Sequence, residues 1–279
     1  MKVGFIGTGS MGGLLIESFI RSGALLPEQI TATNRTFGKA VRLASLYPGL
    51  KAVPSNVEAA INCDIVFLCI KPLDFKKVID EIRASVQPEQ LIVSITSPVL
   101  LAQLEEWLPC KIAKVIPSVT NFVLSGASLC MYGNRINAED MQTMEALLSR
   151  ISEPLRIEEC YTRVVSDLSS CGPAFFAFLL QKFIDAAVEE TGIDRDEAIV
   201  LASNMLLGTG KLLTEGNLTP EQLQARVSVP GGITATALHM LDQELDGVFN
   251  RLIQTTHKKY DKEVEKVSVS FYGEKINGT

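Results

Sequence analysis

The sequence predicts an α/β chain: a doubly wound, mainly parallel sheet in the first half and helices alone in the second. Three observations carry this expectation. A short apolar run, Val3 to Ile6, meets a glycine turn, Gly7-Thr8-Gly9-Ser10-Met11-Gly12, and Leu14, Leu15, Ser18 and Phe19 then repeat at helical spacing. Short apolar runs go on alternating with helical spacings as far as Ser149. Past Cys160 the helical spacings continue without a convincing strand. The expected division is therefore a nucleotide-binding domain over 1–159 and an all-α domain over 160–279.

The first element is strand, glycine turn, helix. Gly7 allows the tight turn, Gly9 lets a pyrophosphate approach the backbone, and Gly12 lets the helix pack close to the strand. The free N–H groups of the helix start face the phosphates. In that setting G-x-G-x-x-G reads as a Rossmann dinucleotide fingerprint rather than an ordinary glycine-rich turn. Gly7, Thr8, Gly9, Ser10, Met11 and Gly12 are the first candidate cofactor residues.

Ile30 to Thr33 reads as the second strand, and a helix spans Phe37 to Leu46. An NAD site needs an acidic residue about 20 positions past the glycines for the ribose hydroxyls. Here Asn34 stands 22 positions after Gly12, and Arg35 follows it. A carboxylate would repel a 2′-phosphate, whereas Arg35 can bond it with charge assistance. Asn34 and Arg35 therefore point to NADP, with NAD the weaker cofactor. Asn34 to Thr36 can also be read as a turn that caps the next helix.

A short helix follows at Val57 to Ile61, then a near-continuous apolar strand from Asp64 to Ile70, as a strand buried on both faces requires. It ends in Lys71-Pro72. Ile70, Lys71 and Pro72 are the next cofactor candidates, because residues past the carboxyl ends of parallel strands line the ligand crevice. Asp74 to Ala84 is a helix, Leu91 to Thr96 a strand, Val99 to Trp107 a helix, Lys111 to Ile116 a strand ending at Pro117-Ser118, Ser128 to Tyr132 a strand and Ala138 to Ser149 a helix.

In the second half Pro173 suits a first helical turn after a Ser169-Ser170-Cys171-Gly172 loop. Ala174 to Glu190 is apolar on most faces, which suits a helix buried on more than one side. Asp194 to Thr214, Thr219 to Val227, Thr234 to Leu245 and Val248 to Val264 are further helices, with N-caps at Asp194 and Thr219. Too few polar faces remain to solvate them all, so two subunits are expected to pack these helices together. Val267 to Thr279 is weakly patterned and is expected to fray.

The chain has 279 residues, 47% of them hydrophobic and 21% charged, with a net charge of −6. That excludes wholesale disorder. With no basic stripe it also disfavours nucleic acid as a partner. No apolar run approaches the ~18 residues that span a bilayer, and the N-terminus does not read as a signal peptide, so a membrane partner is not expected. Cys63, Cys69, Cys110, Cys130, Cys160 and Cys171 form no C-x-x-C pair. Neither a metal site nor a disulfide framework is expected, and reduced, buried thiols suit a cytoplasmic protein.

Val229-Pro230-Gly231-Gly232-Ile233-Thr234 precedes a helix. Consecutive N–H groups at a helix start can nest a small carboxylate, and the two glycines would let it approach the main chain. The same residues can equally form a Pro-Gly turn with a threonine cap.

Taken together, Gly7 to Gly12, Asn34-Arg35, Ile70-Lys71-Pro72, Ser169-Ser170-Cys171-Gly172-Pro173-Ala174-Phe175 and Val229 to Thr234 resemble the pyrroline-5-carboxylate reductase family over nearly the full length. The resemblance implies a Rossmann domain that binds NAD(P)H and a helical domain that forms an intertwined dimer with a shared substrate site. It implies hydride transfer to the C5=N imine of pyrroline-5-carboxylate, giving proline. It places the substrate carboxylate at Val229, Gly231, Gly232 and Ile233, and the ring nitrogen at Thr234. Thr234 and Cys171 are the catalytic candidates. Cys171 could also be a packed thiol, since neither His239 nor His257 lies near it in sequence.

Three segments depart from the family's usual pattern. Ser-Gly-Ser-Gly-Pro-Ala-Tyr has become Ser169 to Phe175, with Cys171 in place of a serine. Ser-Pro-Gly-Gly has Val229 in place of its serine, and Pro-Asn-Thr-Pro has become Pro117-Ser118-Val119-Thr120. The chain looks most like a reductase-like, competence-associated branch of the family. The expected function is an NADPH-dependent reductase with weakened activity; the alternative is an NADP-binding regulatory protein that has lost turnover.

Overall fold

The computed structural model describes residues 1–273. These fall into two compact units, Met1–Pro173 with the described part of Thr255–Thr279, and Ala174–Gln254. The division comes later than residue 159, and the end of the chain belongs with the first unit.

The first unit is built on one eight-stranded sheet. Its strands are β1 (Val3–Ile6), β2 (Ile30–Thr33), β3 (Lys51–Ala52), β4 (Ile65–Leu68), β5 (Leu91–Ser94), β6 (Lys111–Ile116), β7 (Ala127–Tyr132) and β8 (Glu153–Arg156). Their order is β3-β2-β1-β4-β5-β6-β7-β8, and every neighbouring pair is parallel except β6 with β7. The order reverses between β1 and β4, which puts the ligand crevice of a doubly wound sheet at their carboxyl ends.

Helices cover both faces, so the central strands are mostly apolar. Val66, Leu68, Ile92, Ile112 and Ile116 share one core; Phe5, Ile65, Phe67, Val93 and Val115 share the other. In the second core Phe5 stacks on Phe67 at 5.0 Å between ring centroids, and Phe19 of helix α1 (Ser10–Arg21) lies 5.9 Å from Phe67. Strand alternation puts Lys114 on the same face as Ile112 and Ile116, where it is fully buried. Its ammonium donates to Glu159 Oε1 at 2.5 Å and to the Ser97 carbonyl at 3.1 Å.

The remaining helices of this unit's first 173 residues are α2 (Phe37–Leu46), α3 (Asn56–Ala60), α4 (Phe75–Ile82), α5 (Leu101–Trp107), α6 (Ala138–Leu148) and α7 (Thr162–Ser166). Strands β3 and β8 were not expected from the sequence. β3 is two residues long, and β8 is a mostly exposed edge strand carrying Pro154, which is tolerated only at such positions.

Two expectations about the second half are corrected. Residues 167 to 171 do not form a loop: they are a π-helical turn joining α7 to α8 (Gly172–Thr191), so that Glu159–Thr191 is one helical run of 33 residues. By length and composition that run could cross a membrane. The sequence reading counted only uninterrupted apolar residues, whereas a helix tolerates the Ser, Thr and Gly between them. The second correction concerns the tail. The last helix continues through Tyr272 with Val267 and Phe271 buried, and Phe271 meets Trp107 edge-on at 6.3 Å. Its buried stripe rests on two apolar residues four apart, too sparse to register as a pattern. Residues 274–279, the rest of that expectation, lie outside the described residues.

The second unit comprises α8 from Ala174, α9 (Arg195–Thr214), α10 (Pro220–Val227), α11 (Ile233–Glu244) and the start of α12 (Val248–Tyr272). The expected caps are present: Asp194 Oδ1 accepts from the Asp196 and Glu197 N–H groups, and Thr219 forms a reciprocal capping box with Gln222. Phe176, Phe178, Phe183, Val200, Leu201 and Leu207 are more than half exposed.

Candidate functional site

The glycine turn has the geometry that its sequence demands. Gly7 sits at φ +103°, and its N–H donates to the Thr33 carbonyl at 2.9 Å. A side chain there would run into the Cys69 carbonyl, and one at Gly12 into the carbonyl of Gly7. At Gly9, by contrast, a Cβ would meet no protein atom within 4 Å. Gly9 is also the N-cap of α1 without a side-chain cap bond, so the first N–H groups of the helix are left for a ligand. Thr8 Oγ1 is buried and has no hydrogen-bond partner. An open glycine, an uncapped helix start and an orphaned hydroxyl together fit a dinucleotide phosphate. Ser10 and Met11 begin the helix beside them.

Asn34 ties the end of β2 to this turn. Its Oδ1 accepts from the Thr8 N–H at 3.0 Å, and its Nδ2 donates to the Thr36 carbonyl at 3.2 Å. Thr36 occupies the N-cap of α2 but makes no side-chain cap bond. Arg35 is 78% exposed, and its Nη1 lies 3.6 Å from Asp74 Oδ2. On the other side of β1, the chain leaves β4 through Ile70, whose carbonyl accepts from Thr96 Oγ1 at 3.1 Å. Lys71 is exposed, and Pro72 opens a single 3-10 turn ending at Asp74.

Further along the sheet edge, two of the altered segments meet. Ser118 is fully buried, its N–H donates to Asn121 Oδ1 at 2.8 Å, and its hydroxyl donates to the Ser169 carbonyl at 3.0 Å. Thr120 Oγ1 donates in turn to Ser118 Oγ at 2.9 Å. Behind the π turn, Arg163 Nη2 donates to Asp167 Oδ1 at 2.8 Å and to Cys171 Sγ at 3.2 Å, while Thr256 Oγ1 donates to Asp167 Oδ2 at 2.6 Å. A cavity of about 340 Å³ opens here, lined in part by Ser97, Arg163, Cys171, Thr256 and Tyr260. The charged neighbour of Cys171 is thus a guanidinium and not a histidine. Among the other thiols, Cys63, Cys110 and Cys130 are buried and Cys160 is exposed. Burial pushes Cys110 up to about 12 and Cys130 up to about 11, so both stay protonated at neutral pH.

In the second unit, Gly231 is at φ +73°, and the Gly232 N–H closes a tight turn onto the Val229 carbonyl at 2.9 Å. Gly232 is the N-cap of α11, again without a side-chain cap. Thr234 is therefore the second residue of the helix rather than its cap, and it is half-buried. Val229 and Ile233 are 65% and 92% exposed. Ser228 Oγ, one residue before Val229, is buried without a partner.

Comparison with known proteins places this geometry. The family description "Pyrroline-5-carboxylate reductase dimerisation" matches residues 159–263, and "NADP oxidoreductase coenzyme F420-dependent" matches residues 2–98. Pyrroline-5-carboxylate reductase 3 of Bacillus subtilis (strain 168) is 30% identical over 267 residues, which cover 95% of this chain and 98% of that protein. The chain belongs to the pyrroline-5-carboxylate reductase family. NADP is its cofactor, as the N-terminal match and the family indicate. Within the family, ComE operon protein 4 of the same organism is 41% identical over 272 residues, 98% of this chain and 100% of that protein. The NADP-bound pyrroline carboxylate reductase of Plasmodium falciparum shares the fold, with a TM-score of 0.81 at 23% identity over 97% of this chain and 98% of that one.

Sequence reasoning missed several polar groups around the altered segments: Thr96, Lys114, Glu159, Arg163, Asp167 and Thr256. Lys114 alone left a signal, a charge inside an otherwise apolar strand. Arg163 and Asp167 pair at a spacing of four within one helical run, and the rest acquire their meaning only when residues far apart in sequence are brought together.

Proposed function

We propose that the chain is an NADPH-dependent reductase of the cyclic imine pyrroline-5-carboxylate, giving proline, with turnover slower than is usual in its family. The observation that carries this reading is the start of α11: Gly231 in the left-handed region and an uncapped helix terminus form a backbone anion nest that survives the change of a serine to Val229. Bound NADPH supplies the hydride. The glycine turn and Asn34 hold the pyrophosphate end, with Arg35 on the 2′-phosphate, while Ile70, Lys71 and Pro72 line the crevice. The N–H groups of Gly231, Ile233 and Thr234 hold the substrate carboxylate, while Gly232 keeps the turn closed onto Val229, and the Thr234 hydroxyl bonds the ring nitrogen. Cys171 lines the cavity of its own unit as a packed thiol hydrogen-bonded to Arg163 and forms no covalent bond with substrate. The exposed apolar residues of α8 and α9, with the dimerisation match over residues 159–263, support a homodimer in the cytoplasm whose helices cover one another.

The three altered segments, and the 41% identity to ComE operon protein 4, favour a second reading: an NADP-binding protein of competence-associated function without turnover. One assay separates the two. NADPH consumed with pyrroline-5-carboxylate, and proline formed in equal amount, supports the enzyme. Tight NADPH binding without proline supports the regulator. Light scattering at micromolar concentration tests the assembly, for which a monomeric mass would refute the dimer.

A further inference from the structure

Strands β2 and β4 are the two neighbours of β1. Arg35 follows β2 and Asp74 closes the turn after β4, so their ion pair joins the two sides of the glycine turn that β1 feeds. The backbone is fixed at both ends. Asn34 is bonded to Thr8 and Thr36, and the Asp74 N–H donates to the Lys71 carbonyl at 2.9 Å. The side chains are not: Arg35 and Asp74 are 78% and 40% exposed, and Asp74 makes no side-chain cap bond to α4. A guanidinium in this setting exchanges one anionic partner for another without moving the chain.

We propose that Asp74 is a specificity-determining residue for the cofactor, competing with the 2′-phosphate for Arg35. The proposal rests on the reading that Arg35 binds that phosphate. A cofactor carrying the 2′-phosphate draws Arg35 away from Asp74 and settles close to a carboxylate. A cofactor without the phosphate leaves the pair intact. The preference for NADPH over NADH is therefore smaller than Arg35 alone would give, and Asp74 sets the difference.

The test is a fluorescence titration of NADPH and NADH against the full-length protein and its Asp74→Asn, Arg35→Ala and doubly substituted forms, at low and high salt. An exposed pair is weak and screened, so Asp74→Asn should tighten NADPH by about two- to fivefold at low salt, and less at high salt. NADH binding should not change. The gain should vanish in the Arg35→Ala background. Asp74→Ser, which keeps a polar side chain of another shape, should behave like Asp74→Asn. Unchanged or weaker NADPH binding in both Asp74 variants, an equal gain for both cofactors, or a gain that persists without Arg35 would overturn the proposal. If Arg35→Ala itself leaves NADPH affinity untouched, the assignment of Arg35 falls and the proposal with it.

Discussion

The Ser118 hydroxyl donates to the Ser169 carbonyl at 3.0 Å, and Pro173 explains why that carbonyl needs a donor. Proline has no N–H to give to the residue four positions back, so a helix that runs through Pro173 leaves Ser169 short of its usual partner. Ser118 fills that role from the loop after β6. Two of the three segments that depart from the family pattern are thus one hydrogen-bonded unit, and a change in either bears on the other.

Ser118→Ala should cost stability. It strips the Ser169 carbonyl of a donor and the Thr120 hydroxyl of an acceptor in a buried place, which amounts to about 1–3 kcal/mol. The check is urea unfolding, where the midpoint should fall while the slope stays constant. An unchanged midpoint would mean that Ser169 finds another donor.

Gly9→Ala separates folding from cofactor binding. No protein atom lies within 4 Å of the added Cβ, so the melting temperature should match wild type. NADPH affinity should nevertheless fall at least about tenfold, because the methyl would occupy the approach of the pyrophosphate to the backbone. Equal affinity would place the cofactor elsewhere. A large loss of stability would show that Gly9 is a structural glycine.

The glycine turn, the six longest-patterned strands and most helices were legible because each follows from local spacing. Val3–Ile6, Ile30–Thr33 and Lys111–Ile116 have the ends that the sequence predicts. What escaped notice depends on residues far apart in sequence. The π turn at Asp167 is stabilised by Arg163 and by Thr256, 89 positions away. The tail is helical because Phe271 reaches Trp107. Of the candidate site, the geometry of the glycine turn was readable, because glycines set it through the backbone. The pairing of Arg35 with Asp74 and of Ser118 with Ser169 was not, because side-chain partners carry no periodicity.

Lys114 makes a further prediction. Glu159→Gln removes the counter-charge of a fully buried ammonium and leaves it only neutral acceptors, the Ser97 carbonyl and the new amide oxygen, and should cost about 3–5 kcal/mol. Lys114→Met should cost less, since Glu159 is 27% exposed and can turn to water. Burial already lowers the pKa of Lys114, while Glu159 pulls it back up. Without Glu159 the lysine sheds its proton more easily in the folded state than in the unfolded one. The folded state then binds fewer protons, so the Glu159→Gln deficit should shrink as pH rises above that lowered pKa. Denaturation curves from neutral to alkaline pH would show it. A deficit independent of pH would mean that the loss is one of packing.

The most direct test of the central claim is kcat/KM for pyrroline-5-carboxylate in wild type against Val229→Ser, with Thr234→Ala as the reference for a disabled site. A carboxylate oxygen short of one hydroxyl donor loses about 1–3 kcal/mol, a factor of roughly five to a hundred if the deficit persists in the transition state. The wild type should turn over slowly, Val229→Ser should recover part of that factor, and Thr234→Ala should lose most of what remains. No turnover in the wild type together with none in Val229→Ser would contradict the reductase reading.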